Sequence, residues 1–549
     1  MAQNDEMKKY DFIEGIDFDG LMPKAMEGYS AGKGEGSSKL FRYSVPDALE
    51  VFSINALFEK SSGGGSSSGS GSTESGSTES GGTESGGTES GSTEPVIEKP
   101  EETENTPEQQ QAEQDMIDAL TDESGGTKAY SAVIPSINNM TVPANAGRSA
   151  TISGDVQNGA TITNESTSKY VTVTGTQDDP VDVAIVSSGG AVYLRGEYND
   201  VYVEGKGISV SSSMYPNVHG TVSVADTDQP VSVTLNFVGD ECGVNYLGDD
   251  DLTISDGNTE DLGSPTIYAP NATVTMSGKY TDVTATVGED TLILKNGFHA
   301  RKLTLLKGNL FVNGIDLADF VDELEVHKDC VITYAEYHAS QNSPAKLTGS
   351  SPANGIVILD EDVELTKGRQ FGTFASGKEM LDLNGHVFKC GDTRSGTSNT
   401  GSYYLRGSAV MNFKDSVGGG VFENNHGNYL IWLAGGGEVN VYSGEYRGYT
   451  HTLYAYNGTI NVYGGTFKLL DAETAERDAN GNLKFLLNCY DANYTAGTAK
   501  INVYGGKFYE FNPAVTYGEP GGPVSYVAPG YKVVEYVEDG KKVYEVIKE

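Results

Sequence analysis

The chain has 549 residues, 37% of them apolar, with 70 glycines, 32 tyrosines and one tryptophan. That is too long for one hydrophobic core and too rich in turns for long helices, and it points to short strands. The formal net charge of −40 excludes a nucleic-acid partner, which needs clustered Lys and Arg, and equally excludes docking on anionic lipid.

Residues 1–60 mix apolar side chains with glycines and charges, and carry no disulfide or zinc pattern. Sixty such residues make a marginal independent core. The segment reads as an anchor that orders against a partner, with Phe41, Tyr43, Phe52 and Phe58 as its apolar contacts. Within it, Gly32-Lys33-Gly34-Glu35-Gly36-Ser37-Ser38 does not match a phosphate-binding loop. The first residues, MAQNDEMKKYDFIEG, lack the apolar stretch of an export signal. No run of about eighteen apolar residues follows, so no membrane span is expected.

Residues 61–130 read as a disordered, acidic Gly/Ser/Thr/Glu linker. A five-residue repeat places Glu74, Glu79, Glu84, Glu89 and Glu94 in register, and residues 61–125 hold fifteen acids against Lys99. Such a segment buries too little apolar area to offset chain entropy. As a coil, its low-complexity part spans roughly 40 Å. A short amphipathic helix is expected at 113–122, with Met116, Ile117 and Leu120 on one side.

Residues 131–511 carry internal repeats. Val192-Tyr193-Leu194-Arg195-Gly196-Glu197-Tyr198 introduces the pattern, and Val274-Thr275-Met276-Ser277-Gly278 is echoed 18 residues later by Leu292-Ile293-Leu294. The clearest copies are Val439-Asn440-Val441-Tyr442, Ile460-Asn461-Val462-Tyr463 and Ile501-Asn502-Val503-Tyr504, with a weaker one at Met411-Asn412-Phe413. Each unit is a short alternating strand, a glycine turn and an aromatic residue. A unit of about twenty residues cannot bury its apolar face alone, but stacked units share one core. The expected fold is therefore all-β: a right-handed parallel β-helix, or β-solenoid, of on the order of sixteen coils, behind the flexible linker and small anchor. It divides into an irregular part, 131–345, and a part with NVYGG repeats, 346–511. A pair of β-sandwich domains is the structural alternative. In the solenoid register, Asn412, Asn440, Asn461 and Asn502 form a ladder, and Tyr442, Tyr463 and Tyr504 stack beside it. Residues 512–549 end in a hairpin turning at Asp539-Gly540, a charged cap for the last coil.

Cys242, Cys330, Cys390 and Cys489 have no metal-binding or CxxC spacing and read as buried small side chains. Neither a metal nor a cofactor is expected. Asp478-Ala479-Asn480-Gly481-Asn482 departs from a calcium loop, with glycine one place early and Cys489 where the bidentate Glu belongs, and reads as a turn. Asp249, Asp250 and Asp251 with Asp256 read as a solvated loop. For catalysis, Asp392 with Arg394, Glu423 with His426, and Asp491 are the acids to consider, and none recurs in a recognisable motif. The aromatic run Trp432, Tyr446, Tyr449, Tyr454 and Tyr456, with Arg447 and His451, suits sugar binding, since ring faces stack while polar tips hydrogen-bond. The same side chains equally suit tiling of the exterior or a subunit contact.

Met380-Leu381-Asp382-Leu383-Asn384-Gly385-His386-Val387-Phe388 resembles the LDLNG coil of pectate-lyase-like parallel β-helix proteins. The NVYGG repeats, Phe511-Asn512-Pro513 and the final hairpin resemble the C-terminal parts of fibre and spike appendages of tailed bacteriophages of gut Bacteroidota, including crAss-like phages. The resemblance covers about residues 355–549. It implies a non-enzymatic virion protein, a tail fibre, tail spike or head fibre, with a glycan depolymerase or a bacterial surface adhesin as alternatives. It further implies a homotrimer on the phage particle, assembled in the host cytoplasm. Residues 1–60 would bind other virion proteins, and the β-helix would bind host surface polysaccharide.

Overall fold

In the computed structural model, the described residues are Glu50–Ser53, 99–122, 124, 126–205, 209–210, 216–225, 230–258, 262–365, 371–390, 401–424 and 429–549. The described residues are 52% strand and 7% helix, wound into a parallel β-solenoid of about 14 turns. Alternation in the sequence becomes an inside and an outside. In Leu252–Asp256, Leu252 and Ile254 point into the core while Thr253 and Ser255 do not. Each strand then pairs in parallel with the strand one turn on. Val231, Leu252, Val274, Leu292 and Leu310 are successive partners, 21, 22, 18 and 18 residues apart. These continuous ladders exclude the β-sandwich alternative for the irregular part. One apolar column runs from Met116 to Cys330. Each fully buried Val, Leu or Ile in it contributes about 1.5–3 kcal/mol.

The first turn is closed by a helix, Pro107–Thr121, longer and earlier than the sequence pattern implies. Thr106 and Gln109 form a reciprocal capping box and Pro107 opens the helix, so Thr-Pro-Glu-Gln is a start signal inside an apparently featureless acidic stretch. Met116 and Leu120 are fully buried on the column. Arg148 donates to the Ala119 carbonyl from Nε and Nη2, at 2.9 and 2.6 Å. Asn138 and Asn139 donate to the Thr103 carbonyl at 3.0 and 2.8 Å. The linker boundary expected at 130 is thereby corrected: residues from Lys99 onward belong to the folded body.

Backbone hydrogen bonds carry the column across its middle, from Ala335 N to Val312 O (3.0 Å) and from Ile356 N to Ala335 O (2.7 Å). Beyond that point the cross-section has three sides: a seven-stranded sheet, an eight-stranded sheet and a five-stranded sheet. A second apolar column runs from Ala339 to Val546. The LDLNG segment supplies one corner, with Asn384 and Gly385 both at positive φ (48° and 80°). Insertions lengthen some turns here: Val462 pairs with Val503, 41 residues on, against 21 from Val441 to Val462. Longer turns account for fewer coils than the expected sixteen.

The seven-stranded sheet aligns Asn412, Asn440, Asn461 and Asn502 on consecutive strands. Each Nδ2 donates to the Oδ1 one turn earlier, at 3.1, 3.0 and 2.9 Å, and Asn412 donates to the Glu379 carbonyl at 3.2 Å. Tyr442, Tyr463 and Tyr504 stack alongside at 5.2 and 5.0 Å between centroids. At the far end, Tyr531–Glu538 and Lys541–Lys548 form an antiparallel hairpin. It turns through Asp539 and Gly540 at φ 52° and 76°, as a type I′ turn requires. It pairs antiparallel with Gly506–Tyr509 and so closes the edge of the last turn. Of the expected anchor side chains, Phe41, Tyr43 and Phe58 lie outside the described residues. Phe52 falls in Glu50–Ser53, which pairs antiparallel with Val321–Val326.

Candidate functional site

The five-stranded sheet comprises Phe371–Phe374, Gly401–Leu405, Tyr429–Leu433, His451–Ala455 and Leu487–Cys489. Its inward positions, Tyr403 and Leu405, Ile431 and Leu433, Leu453 and Ala455, are fully buried in the core. The residues between them lie on the other side of the sheet, and the register places Tyr404, Trp432, Tyr454 and Asn488 in one column along the solenoid axis; Tyr404, Trp432 and Asn488 are half-buried, whereas Tyr454 is covered, at 6% exposed. Parallel rungs lie about 4.8 Å apart, so the column is a continuous strip. Tyr404 meets Trp432 at 4.8 Å, Trp432 meets Tyr429 at 5.6 Å, and Tyr429 stacks on Tyr454 at 4.1 Å with an 11° interplanar angle. His451 lies between Tyr429 (4.9 Å) and Phe485 (5.6 Å). Arg406 covers the Tyr404 ring at 5.7 Å. Burial holds the phenols of Tyr429 and Tyr454 above the ordinary range, so both hydroxyls keep their protons.

Two polar atoms of this column are left over. Trp432 Nε1 and Asn488 Oδ1 are buried and have no hydrogen-bond partner among the described residues. Leaving a buried polar group unpaired costs about 1–3 kcal/mol, so each is an observation in need of a cause. A third such atom lies at the same end. Glu519 accepts from Cys489 N (2.7 Å) and from the Tyr526 hydroxyl through Oε1, while its Oε2 is unpaired. Burial raises this carboxyl.

The structure brings only some of the expected sugar-binding residues together. Trp432, His451 and Tyr454 join the strip. Tyr446 is a correction: it is 0% exposed, points into the core from the eight-stranded sheet, stacks on Phe467 at 5.3 Å and donates its hydroxyl to Ser443 O at 2.7 Å. Arg447, beside it, is engaged by Glu445 and by Glu423 at 3.3 Å. Tyr449 lies at the corner between the two sheets, with its N–H on Asn424 Oδ1 at 2.8 Å. Tyr456 is 38% exposed past the end of its strand and stacks on Tyr490 at 4.6 Å. Sequence proximity overlooked Tyr404, Phe485 and Asn488, because turns of unequal length hide a shared column. Aligning the apolar pairs Tyr403/Leu405, Ile431/Leu433 and Leu453/Ala455 recovers it.

Of the acids considered for catalysis, Glu423 and Asp491 are among the described residues. Glu423 contacts Lys389 (3.9 Å) and Arg447. Asp491 opens a short helix, Asp491–Thr495. Asp392, Arg394 and His426 lie outside the described residues. Asp478 Oδ1 accepts from Asn480 N (2.8 Å) and Asn482 N (2.9 Å), which makes that segment a turn closed on itself. Asp256 accepts from Phe237 N and Asn258 N. Among the described residues no group of His, Cys, Asp or Glu could hold a metal ion, and no helix is long and apolar enough to cross a membrane. All four cysteines are free and buried. No protein-family model, curated protein or solved structure matches this chain.

Proposed function

We propose that the chain is an appendage of a bacteriophage particle that holds host surface glycans without cleaving them. The observation that carries the glycan part is the pair of half-buried rings Tyr404 and Trp432, 4.8 Å apart on successive rungs, with the Trp432 N–H unpaired. Ring faces stack on the apolar faces of sugars, and unpaired polar atoms find their partners among sugar hydroxyls. The appendage part rests on the sequence: the resemblance to phage fibres, and an acidic linker that lets one end be fixed while the other searches a nearby surface. Residues 1–60 are the virion-binding end, and three such chains share one docking site.

The test uses residues 99–549 on immobilised surface polysaccharide from bacteria of the source community, with reducing ends assayed in the same wells. The reading expects retention, no new reducing ends, and loss of retention in the Tyr404→Ala/Trp432→Ala double variant with an unchanged melt. Release of reducing ends contradicts the non-enzymatic reading. Undiminished retention of the double variant moves the site elsewhere.

A further inference from the structure

Resting on the glycan reading, we infer that Tyr490 is the open end of an aromatic stack and takes a sugar ring on its free face, with Asp491 accepting hydrogen bonds from that sugar's hydroxyls. Three stacks of rings reach the C-terminal turns of the solenoid, one ring per rung. Tyr442, Tyr463 and Tyr504 form one, and Tyr531 closes it edge-on at 5.6 Å. Tyr446, Phe467 and Phe508 form another, and Phe511 closes it at 6.3 Å. Tyr456 and Tyr490 form the third, 4.6 Å apart with a 23° interplanar angle. Among the described residues no further ring closes this stack, and Tyr456 and Tyr490 are 38% and 40% exposed.

The backbone ladder sets the two rings one above the other. Tyr456 N donates to Leu433 O at 2.8 Å, and Tyr490 N donates to Ala455 O at 2.9 Å. Tyr490 belongs to the lengthened turn, 41 residues from Val462 to Val503 against 21 for the turn before. In repeat folds such insertions commonly carry the binding face. The turn's short helix, Asp491–Thr495, braces the stack, with Asn493 Nδ2 donating to Tyr456 O at 2.6 Å. The five-stranded sheet ends at Leu487–Cys489. The loop beyond it reaches Cys489 N through Glu519, at 2.7 Å, yet leaves Tyr490 open. The neighbourhood selects the occupant. An apolar side chain of a protein would cover the ring but offer nothing to Asp491, which is exposed and whose carboxylate only accepts. A sugar ring supplies both, C–H faces for Tyr490 and hydroxyl donors for Asp491. The site lies on the same sheet as Tyr404 and Trp432, two rungs on from Trp432.

The experiment measures affinity of the full chain for immobilised surface polysaccharide from bacteria of the source community, as wild type, Tyr490→Ala, Tyr490→Phe and Asp491→Ala. Sedimentation reports the mass of each. The expected result is affinity weakened roughly three- to tenfold by Tyr490→Ala, the loss of one ring contact. Asp491→Ala weakens it about tenfold, the loss of one hydrogen bond. Tyr490→Phe keeps the ring and binds as wild type, and all four chains melt alike and have one mass. Wild-type binding indifferent to either alanine variant, or a loss in Tyr490→Phe equal to that in Tyr490→Ala, overturns this inference and leaves the glycan reading standing. A smaller mass for Tyr490→Ala than for wild type makes a second copy the cap of the stack and likewise overturns it. No binding by the wild type overturns both.

Discussion

At the scale of single residues, the stability of the C-terminal half depends on polar side chains placed where most folds would put apolar ones. Asn461 is only 8% exposed, donates to Asn440 and accepts from Asn502. Asn461→Asp keeps the accepting oxygen but sets a second, negative oxygen against Asn440 Oδ1. The expected cost is about 1–3 kcal/mol, read as a lower urea midpoint; an unchanged midpoint contradicts the ladder. Glu379 is the companion case. It lies inside the column, 1% exposed, accepting from Ala353 N (2.6 Å) and the Tyr403 hydroxyl (2.9 Å). Burial raises it from 4.5 to about 7, and burial likewise raises Asp256 to about 6. The folded state therefore keeps these protons longer than the unfolded chain. Their stabilising contribution is complete below the unfolded values and is lost as pH rises through about 6 and about 7. For Glu379 the span is on the order of 3 kcal/mol. Denaturant titrations between pH 5 and pH 8 should show stability falling with pH, and Glu379→Gln should flatten that slope. Stability rising over the same interval contradicts the protonated, buried carboxyl.

At the scale of elements, the ends of the solenoid matter as much as its repeats. The helix Pro107–Thr121 covers an edge that would otherwise expose Ile134, Ile137 and Met140. A chain beginning at Lys99 is expected to unfold cooperatively. A chain beginning at Gln114 lacks Thr106 and the first two helical turns, and is expected to melt lower and to self-associate. Leu120→Ala in the longer chain should cost about 2–5 kcal/mol. Equal melting of the two chains contradicts the cap. This helix also marks where sequence reasoning reached its limit. Repeats with the same asparagine at the same strand position were legible at a glance, because Asn440, Asn461 and Asn502 each follow Val or Ile and precede Val-Tyr. The capping helix was half legible: Met116 and Leu120 showed a helical face, but the acidic, glutamine-rich surroundings looked like linker, and only packing on the first turn distinguishes the two. The strip was legible in composition and not in place. Tyr446 and Tyr454 look alike in sequence, yet one begins an inward position after a glycine turn and the other an outward one. Side-chain direction in a strand changes with a one-residue shift.

At the scale of the whole molecule, the chain joins three parts: a mixed apolar and charged segment at 1–60, an acidic low-complexity stretch, and a long parallel stack that carries the candidate glycan strip. On the proposed reading these are anchor, tether and probe. A tethered probe gains local concentration rather than contacts, so attachment to the particle and attachment to glycan should be separable. The measurement that tests this most directly is immunogold labelling of phage particles from the source culture, using antibodies raised against residues 99–549. The account predicts gold at regular, symmetry-related positions on intact particles, lost when the encoded chain lacks residues 1–60. Label confined to bacterial surfaces or to particle-free supernatant contradicts it.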